Sequence, residues 1–206
     1  MKKIPFPSLP SFYPRYLKRI VVFSLSWFFT TTALANAYKV ENLEFKDTFN
    51  RGSVELSLRG AGLKKFLSIR VAAAALYLKQ DADAKDILKD IPKSLEVIYL
   101  QNIPDVELQN ATTKGIRLNV SEKEFKVLSS NIDLLNTYYP SVRKMDRIRV
   151  TYIPGKGTIV EVNGAVKGTV PGADFGRAFF SIWVGNRPVD ARIKQIIMGK
   201  FKKNSE

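Results

Sequence analysis

The stretch RGAGLKKFLSIRVAAAALYL, residues 59–78, is the most informative part of the sequence, because glycines, basic residues and a long run of small apolar residues adjoin in it. Gly60 and Gly62 flank one alanine, which predicts either a tight turn or the close approach of another segment. Residues 71–78 carry no charge and no proline and have the length of a buried strand. Four consecutive alanines favour a helix by intrinsic propensity. The preceding glycines and the bulkier residues at both ends favour a strand, which we predict.

Strand geometry assigns the side chains of this run to two faces of a sheet. Arg70, Ala72 and Ala74 share one face, whereas Ala73 and Tyr77 share the other. Small side chains on both faces leave room for a neighbour. A packed helix is the expected neighbour, and a ligand cleft is the alternative.

Residues 1–37 have the pattern of a secretory signal peptide. Basic residues without an acid precede the apolar run 20–29, and small residues then recur at alternate positions up to Ala37. We predict cleavage after Ala35 or Ala37, a periplasmic location, a domain over residues 38–199 and a polar tail over 200–206. The alternative is an uncleaved anchor, but the apolar segment 20–35 is short for a membrane span and contains serines and threonines.

The composition excludes several classes of chemistry. The chain has no cysteine and no histidine, so disulfides, thiolate catalysis and Ser-His-Asp or Cys-His hydrolases are excluded. No metal and no cofactor is predicted, since the commonest metal ligand is missing. The net charge of +14 favours anionic partners. Export argues against nucleic acid, which leaves a small anionic molecule or peripheral contact with an anionic membrane surface.

The remaining patterns predict an α+β protein. Ser121 and Glu124 form a capping box at the start of the clearest helix, 121–139. Asn163-Gly164 predicts a hairpin within an antiparallel meander. Strands are expected at 40–45, 54–58, 95–100, 146–153, 158–162 and 165–170, the first two as a hairpin, and helices at 81–90, 104–118, 121–139, 174–184 and 188–198. This order predicts one large, mostly antiparallel sheet packed on one face by several helices.

The order of short motifs resembles the chalcone isomerase family. The motifs are VENLEF at 40–45, GAG at 60–62, VAAAALYL at 71–78, PGKGT at 154–158 and WVGNRPVD at 183–190. The likeness covers nearly the whole chain after residue 37 and is greatest to the bacterial exported chalcone isomerase-like proteins. It implies the chalcone isomerase-like open-faced β-sandwich.

The resemblance also implies where a site would lie. In the plant enzymes a chalcone closes its own ring by attack of a phenolate, held by an arginine and by hydroxyl and amide groups. Those positions fall here on Lys64, Ala72, Ile182 and, by a looser alignment, near Leu108 and Gly115. Only the positive charge is kept, as a lysine in place of a planar guanidinium. We therefore expect a hydrocarbon lining with a single cation, and the fold without the isomerase activity.

Three functions follow as hypotheses. The first, drawn from family members that bind fatty acids, is a non-catalytic binder of a small amphipathic or anionic ligand. Lys64, Arg70 and Tyr77 would contact its headgroup. Solvent-exposed lysines after a turn and a strand-edge arginine are the alternatives for the two basic positions. The second hypothesis is a weak isomerase of the intramolecular lyase type that uses Lys64, and the third is an envelope scaffold or interaction protein with a basic face.

Overall fold

The computed structural model describes residues 37–199, so the predicted signal peptide lies outside the described residues except for Ala37, as does the tail 200–206. The strands are β1 Ala37–Val40, β2 Leu43–Lys46, β3 Thr48–Arg51, β4 Val54–Phe66, β5 Ile69–Leu78, β6 Lys93–Tyr99, β7 Arg147–Ile153, β8 Gly157–Val162 and β9 Ala165–Val170. The helices are α1 Asp105–Arg117, α2 Glu122–Val127, α3 Ser129–Asn136, α4 Ala173–Val184 and α5 Ala191–Ile197. In this part of the chain no helix is long and apolar enough to span a bilayer.

Strands β3 to β9 form one antiparallel sheet in chain order, and β1 pairs with β2 in a separate hairpin. The alternation within β5 divides the core as predicted. Ala72, Ala74 and Leu76 pack with the helices, on what we call the helical face. Ala73 and Tyr77 pack beneath the β1–β2 hairpin, on what we call the hairpin face. The predicted α+β class and the large antiparallel sheet are confirmed.

The glycines of the GAG motif serve a close approach and not a turn. Strand β4 continues through them, with a register shift between Leu58 and Gly60, and its turn comes only after Phe66. A Cβ atom at Gly60 would lie 2.2 Å from the backbone oxygen of Ile196, and one at Gly62 would lie 2.6 Å from the Ile196 side chain. Helix α5 therefore packs directly against the backbone of β4, and the prediction of a tight turn is wrong.

Gly60→Ala is expected to lower the free energy of unfolding by about 1–2 kcal/mol, because the added methyl must displace the end of α5. Urea unfolding measures the loss, and hydrogen exchange of the α5 amides should show reduced protection. Gly155→Ala is the control, since nothing lies within 4 Å of a Cβ there and only its φ of +75° opposes the change. Unchanged protection of α5 in the Gly60 variant would contradict this account.

Three predicted elements differ in detail. The helix 121–139 is divided into α2 and α3 at Leu128, whose ψ of −2° departs from the regular helical value of about −42°. The Ser129 hydroxyl donates to the Lys126 carbonyl at 2.9 Å at the same point. The predicted hairpin of 40–45 with 54–58 is instead two hairpins, because Glu41 adopts φ of +53° and turns the chain. The helix predicted at 81–90 is only a 3-10 turn at Ala84–Asp86.

Candidate ligand cavity

A cavity of about 250 Å³ lies between the helical face of the sheet and helices α1 and α4. Its walls follow from the two periodicities of the chain. Alternate residues of β6 and β7 face it, and so do α1 positions three and four apart. The apolar part of the lining includes Ala72, Leu95, Val97, Leu108, Ile148, Val150, Phe179 and Ile182.

Lys64 lines this cavity, opposite Ala72 in the β4–β5 register. Its side chain is half-buried, and within residues 37–199 it forms no hydrogen bond or ion pair. Burial lowers the pKa of the Lys64 amine, and the negative charge of Asp190 partly opposes that shift. The Asp190 carboxylate caps α5 through the amides of Arg192 and Ile193, at 2.8 and 3.1 Å. The Lys64 amine is thus available to an anion entering the cavity.

Three residues that carry a hydroxyl group also line the cavity: Tyr99, Thr112 and Tyr139. The Thr112 hydroxyl donates to that of Tyr139 at 3.4 Å. Burial raises the pKa of Tyr139 to about 12 and that of Tyr99 still further. Both phenols therefore stay protonated at neutral pH and can donate hydrogen bonds. The expectation of a hydrocarbon lining with a single cation is wrong.

The positions that the family resemblance indicated are largely found at the cavity. Lys64, Ala72, Leu108 and Ile182 line it, whereas Gly115 does not. A Cβ atom at Gly115 would lie 2.8 Å from the Ile182 side chain, so this glycine lets α1 pack closely against α4. The hydroxyl-bearing residues lie at positions that the resemblance did not indicate. The alternation of β6 could have indicated that Tyr99 faces the cavity, and the four-residue spacing from Leu108 could have indicated Thr112.

Tyr77 does not share a site with Lys64. It is fully buried on the hairpin face, where its hydroxyl donates to Glu96 at 3.3 Å and its ring meets Phe49 edge-on. Burial and the charge of Glu96 raise the pKa of this phenol. Successive residues of a strand alternate between faces, so position 77 cannot reach a cavity that Ala72 lines.

Arg70 also lies outside the cavity. It is solvent-exposed near the end of the sheet, and its guanidinium pairs with Glu41 at 2.6 Å. It lines a separate surface groove together with Ile69, Leu100 and Lys144. The predicted grouping of three headgroup contacts is therefore reduced to Lys64 at the cavity itself.

Sequence reasoning missed a cluster of buried charges on the hairpin face. Glu96 accepts hydrogen bonds from Arg147 at 3.0 Å and from Arg149 at 2.7 Å. The Arg149 guanidinium lies 3.8 Å from the centre of the Phe49 ring. The strand register places Glu96 and Glu161 on either side of Arg149. The alternation in RIRVTYI could have indicated that Arg147 and Arg149 lie on the same face of the sheet. These charged side chains on the hairpin face suit structural ion pairs and not an acyl chain.

Nothing between residues 37 and 199 suggests a metal centre, because no three acidic side chains are grouped to hold an ion. The polar residues that line the cavity are one cation, Lys64, one carboxylate, Glu107, and the three hydroxyl-bearing residues, and the remaining walls are apolar. Such a lining can hold an amphipathic anion, with its charge at Lys64 and its hydrocarbon against the sheet and helices.

The fold and the cavity define an α+β protein with a seven-stranded antiparallel sheet and a mostly apolar pocket under its helices. The chalcone isomerase-like family profile matches residues 37–199, and the chain belongs to that family. Among solved structures, a fatty-acid binding protein of Arabidopsis thaliana matches with a TM-score of 0.61 at 17% identity, covering 80% of this chain and 97% of that chain. That likeness shows the shared fold. A comparison with curated proteins gave no significant match.

Proposed function

We propose that this chain is an exported, non-catalytic protein that binds a small amphipathic anion such as a fatty acid. The proposal rests on Lys64, which lines a mostly apolar cavity and forms no hydrogen bond or ion pair among the described side chains. The fatty-acid binding function of the Arabidopsis protein with this fold supports the choice of ligand class. The signal-like segment 1–37 supports export to the periplasm, which N-terminal sequencing of the purified protein would test.

Binding energy would come from two sources. Each buried methylene contributes about 0.8 kcal/mol, and the cavity walls can receive several. A lysine-carboxylate hydrogen bond in a desolvated site is about twice as strong as a neutral one. The cavity of about 250 Å³ lies just below the usual range of about 300–1,000 Å³ for ligand pockets, which favours a short or medium acyl chain.

Lys64→Met is expected to weaken binding of a medium-chain fatty acid by about 10-fold to 100-fold, the value of a charge-assisted hydrogen bond. Calorimetric titration or displacement of a fluorescent fatty acid measures the change. Lys65→Met is the matched control, because Lys65 is next to Lys64 in the sequence but is exposed and does not line the cavity. The corresponding alcohol, which carries no charge, should bind both variants and the parent with similar affinity.

Equal loss in the Lys64 and Lys65 variants would refute a specific headgroup contact and leave only a general effect of charge. Native mass spectrometry of protein purified from its own cells gives a second test. A co-purifying lipid supports the proposal, and a clean apo mass from several preparations contradicts it.

The three hydroxyls at the cavity favour a second candidate function, a weak intramolecular lyase of the chalcone isomerase type. Tyr99, Thr112 and Tyr139 can donate hydrogen bonds that orient a phenolic substrate. This function requires chalcone turnover above the spontaneous rate, reduced by Lys64→Met and by Tyr139→Phe. A rate equal to the uncatalysed one would exclude it.

A further inference from the structure

The tip of the β4–β5 hairpin presents apolar side chains to solvent. We define the tip as residues 66–69, in which Phe66 pairs with Ile69 across a two-residue turn. Phe66, Leu67 and Ile69 are 67%, 86% and 56% exposed. Single exposed apolar residues are ordinary, but three within four residues at a protruding turn form a contiguous patch.

Leu67 is unfavourable in its place for two reasons. Its φ of +53° is a conformation in which tight hairpin turns normally carry Gly, Asn or Asp. Its side chain is also almost fully exposed, so packing against the other residues of 37–199 offsets little of the backbone strain. A strained and exposed leucine indicates a contact made outside the chain.

Cations surround this tip. Lys64 and Lys65 precede it and Arg70 follows it. Beside it lies the groove that contains Ile69, Arg70, exposed Lys144 and Met145, which is 51% exposed. Glu41 is the acidic residue lining this groove, and it is paired with Arg70. Lys65 and Lys144 are exposed and form no ion pair among the described residues, whereas Lys64 lines the cavity and Arg70 is paired. An apolar turn beside two such cations is complementary to a bilayer surface containing anionic lipids.

We propose that the hairpin tip docks the protein on an anionic membrane, with Phe66, Leu67 and Ile69 inserted among the lipid headgroups. The tip offers three apolar side chains, whereas a stable protein interface takes about 20–30 residues and about 800 Å² per partner. Lys64 lies two residues from Phe66 along β4, or about 7 Å. Docking would thus bring the cavity to the surface from which an acyl ligand is taken. This last step rests on the proposed function, whereas docking itself does not.

The absence of cysteine from the chain gives a direct test. Leu67→Cys in the full chain provides one labelling site for an environment-sensitive fluorophore such as NBD. With ligand-free protein and vesicles of phosphatidylcholine and phosphatidylglycerol, we expect a blue shift, a rise in intensity and quenching by acyl-chain quenchers. Val127→Cys is the control, because Val127 is 71% exposed in a part of the chain remote from the tip. Its label should show no quenching, whatever residues 1–36 contribute to vesicle attachment.

Two substitutions separate the apolar from the electrostatic contribution. Leu67→Asn is expected to lower vesicle partitioning by about tenfold through lost apolar burial. It should leave the melting temperature equal or higher, because asparagine tolerates the turn conformation. Lys65→Gln is expected to lower partitioning to anionic vesicles by about fivefold and to change little on phosphatidylcholine alone. Neither substitution touches the cavity, so fatty-acid affinity in solution should stay unchanged.

Three results would overturn the proposal. The first is a Leu67 label that is neither shifted nor quenched by anionic vesicles. The second is equal quenching of the Leu67 and Val127 labels, which would show attachment without insertion of the tip. The third is a shift that depends on protein concentration and not on vesicles, which would identify a second copy of the chain as the occupant. Failure of fatty-acid binding with normal insertion of the tip would refute the proposed function alone.

Discussion

Glu96→Gln is expected to lower the free energy of unfolding by about 3–5 kcal/mol, the largest loss among the changes considered. The Glu96 side chain is 6% exposed and pairs with both Arg149 and Arg147. The Arg149 side chain is itself only 13% exposed. The amide keeps the size of the carboxylate but removes its charge. Arg149 would remain buried on the hairpin face without its hydrogen-bonded carboxylate, and the neighbouring Glu161 is already paired with Arg51. Urea unfolding at constant pH measures the difference.

Glu44→Gln is the matched control, because Glu44 pairs with Lys39 at 3.3 Å with both side chains largely exposed. Its loss should stay below about 1 kcal/mol. A double variant, Glu96→Leu with Arg149→Met, should recover most of the stability, since it removes both buried charges together. A loss below 1 kcal/mol for Glu96→Gln would show that Arg149 is hydrated, and would contradict the structural role of the pair.

Lys93→Met is expected to raise the free energy of unfolding by about 2–3 kcal/mol at pH 7. Lys93 is 1% exposed, and its amine donates to the Lys89 carbonyl at 2.6 Å and lies 4.8 Å from the centre of the Tyr152 ring. Burial lowers the pKa of Lys93 to about 8, and Asp90 only partly opposes this shift. The difference from the ordinary lysine value of about 10.4 corresponds to about 3 kcal/mol against the charged form. The lost hydrogen bond reduces the gain slightly.

The sign of the pH dependence follows from the direction of that shift. Between about pH 8 and 10.4 the unfolded chain binds a proton that the folded chain lacks, so stability rises with pH in this window. Below pH 8 both states carry the proton, and the full cost of the buried charge is present. The advantage of the Lys93→Met variant should therefore shrink from pH 8 to 10. Lys89→Met, at a side chain 69% exposed, should change little at any pH. A destabilised Lys93 variant at pH 7 would contradict the argument.

The sequence predicted most of the sheet because its signals are local. The antiparallel meander β7–β9 depends on alternation and on the Asn163-Gly164 turn, and both need only neighbouring residues. Helices α1, α4 and α5 were predicted near their observed bounds for the same reason. The errors came where one local signal had two interpretations. Gly60 and Gly62 fit a turn equally well until α5 is placed against them.

The candidate site was predicted less completely. Lys64 was predicted at a ligand site because it falls on the position of the substrate-binding arginine in the plant enzymes of the family. In the structure Lys64 lines the cavity. The pairing of Tyr77 with Glu96, and that of Arg70 with Glu41, depends on residues that are distant along the chain. Tyr99 and Tyr139 line one cavity only because the fold brings β6 and the segment after α3 together.

The α+β class, the alternation of β5 and the exclusion of histidine and cysteine chemistry can be read from the amino-acid sequence without coordinates. These properties follow from composition and from periods of two and 3.6 residues, which each segment carries alone. Which cations face a cavity, which are paired and which flank an exposed apolar tip depends on the folded arrangement of the chain. A side chain's partners are set by contacts between distant segments, and such contacts leave no periodic trace in a single chain.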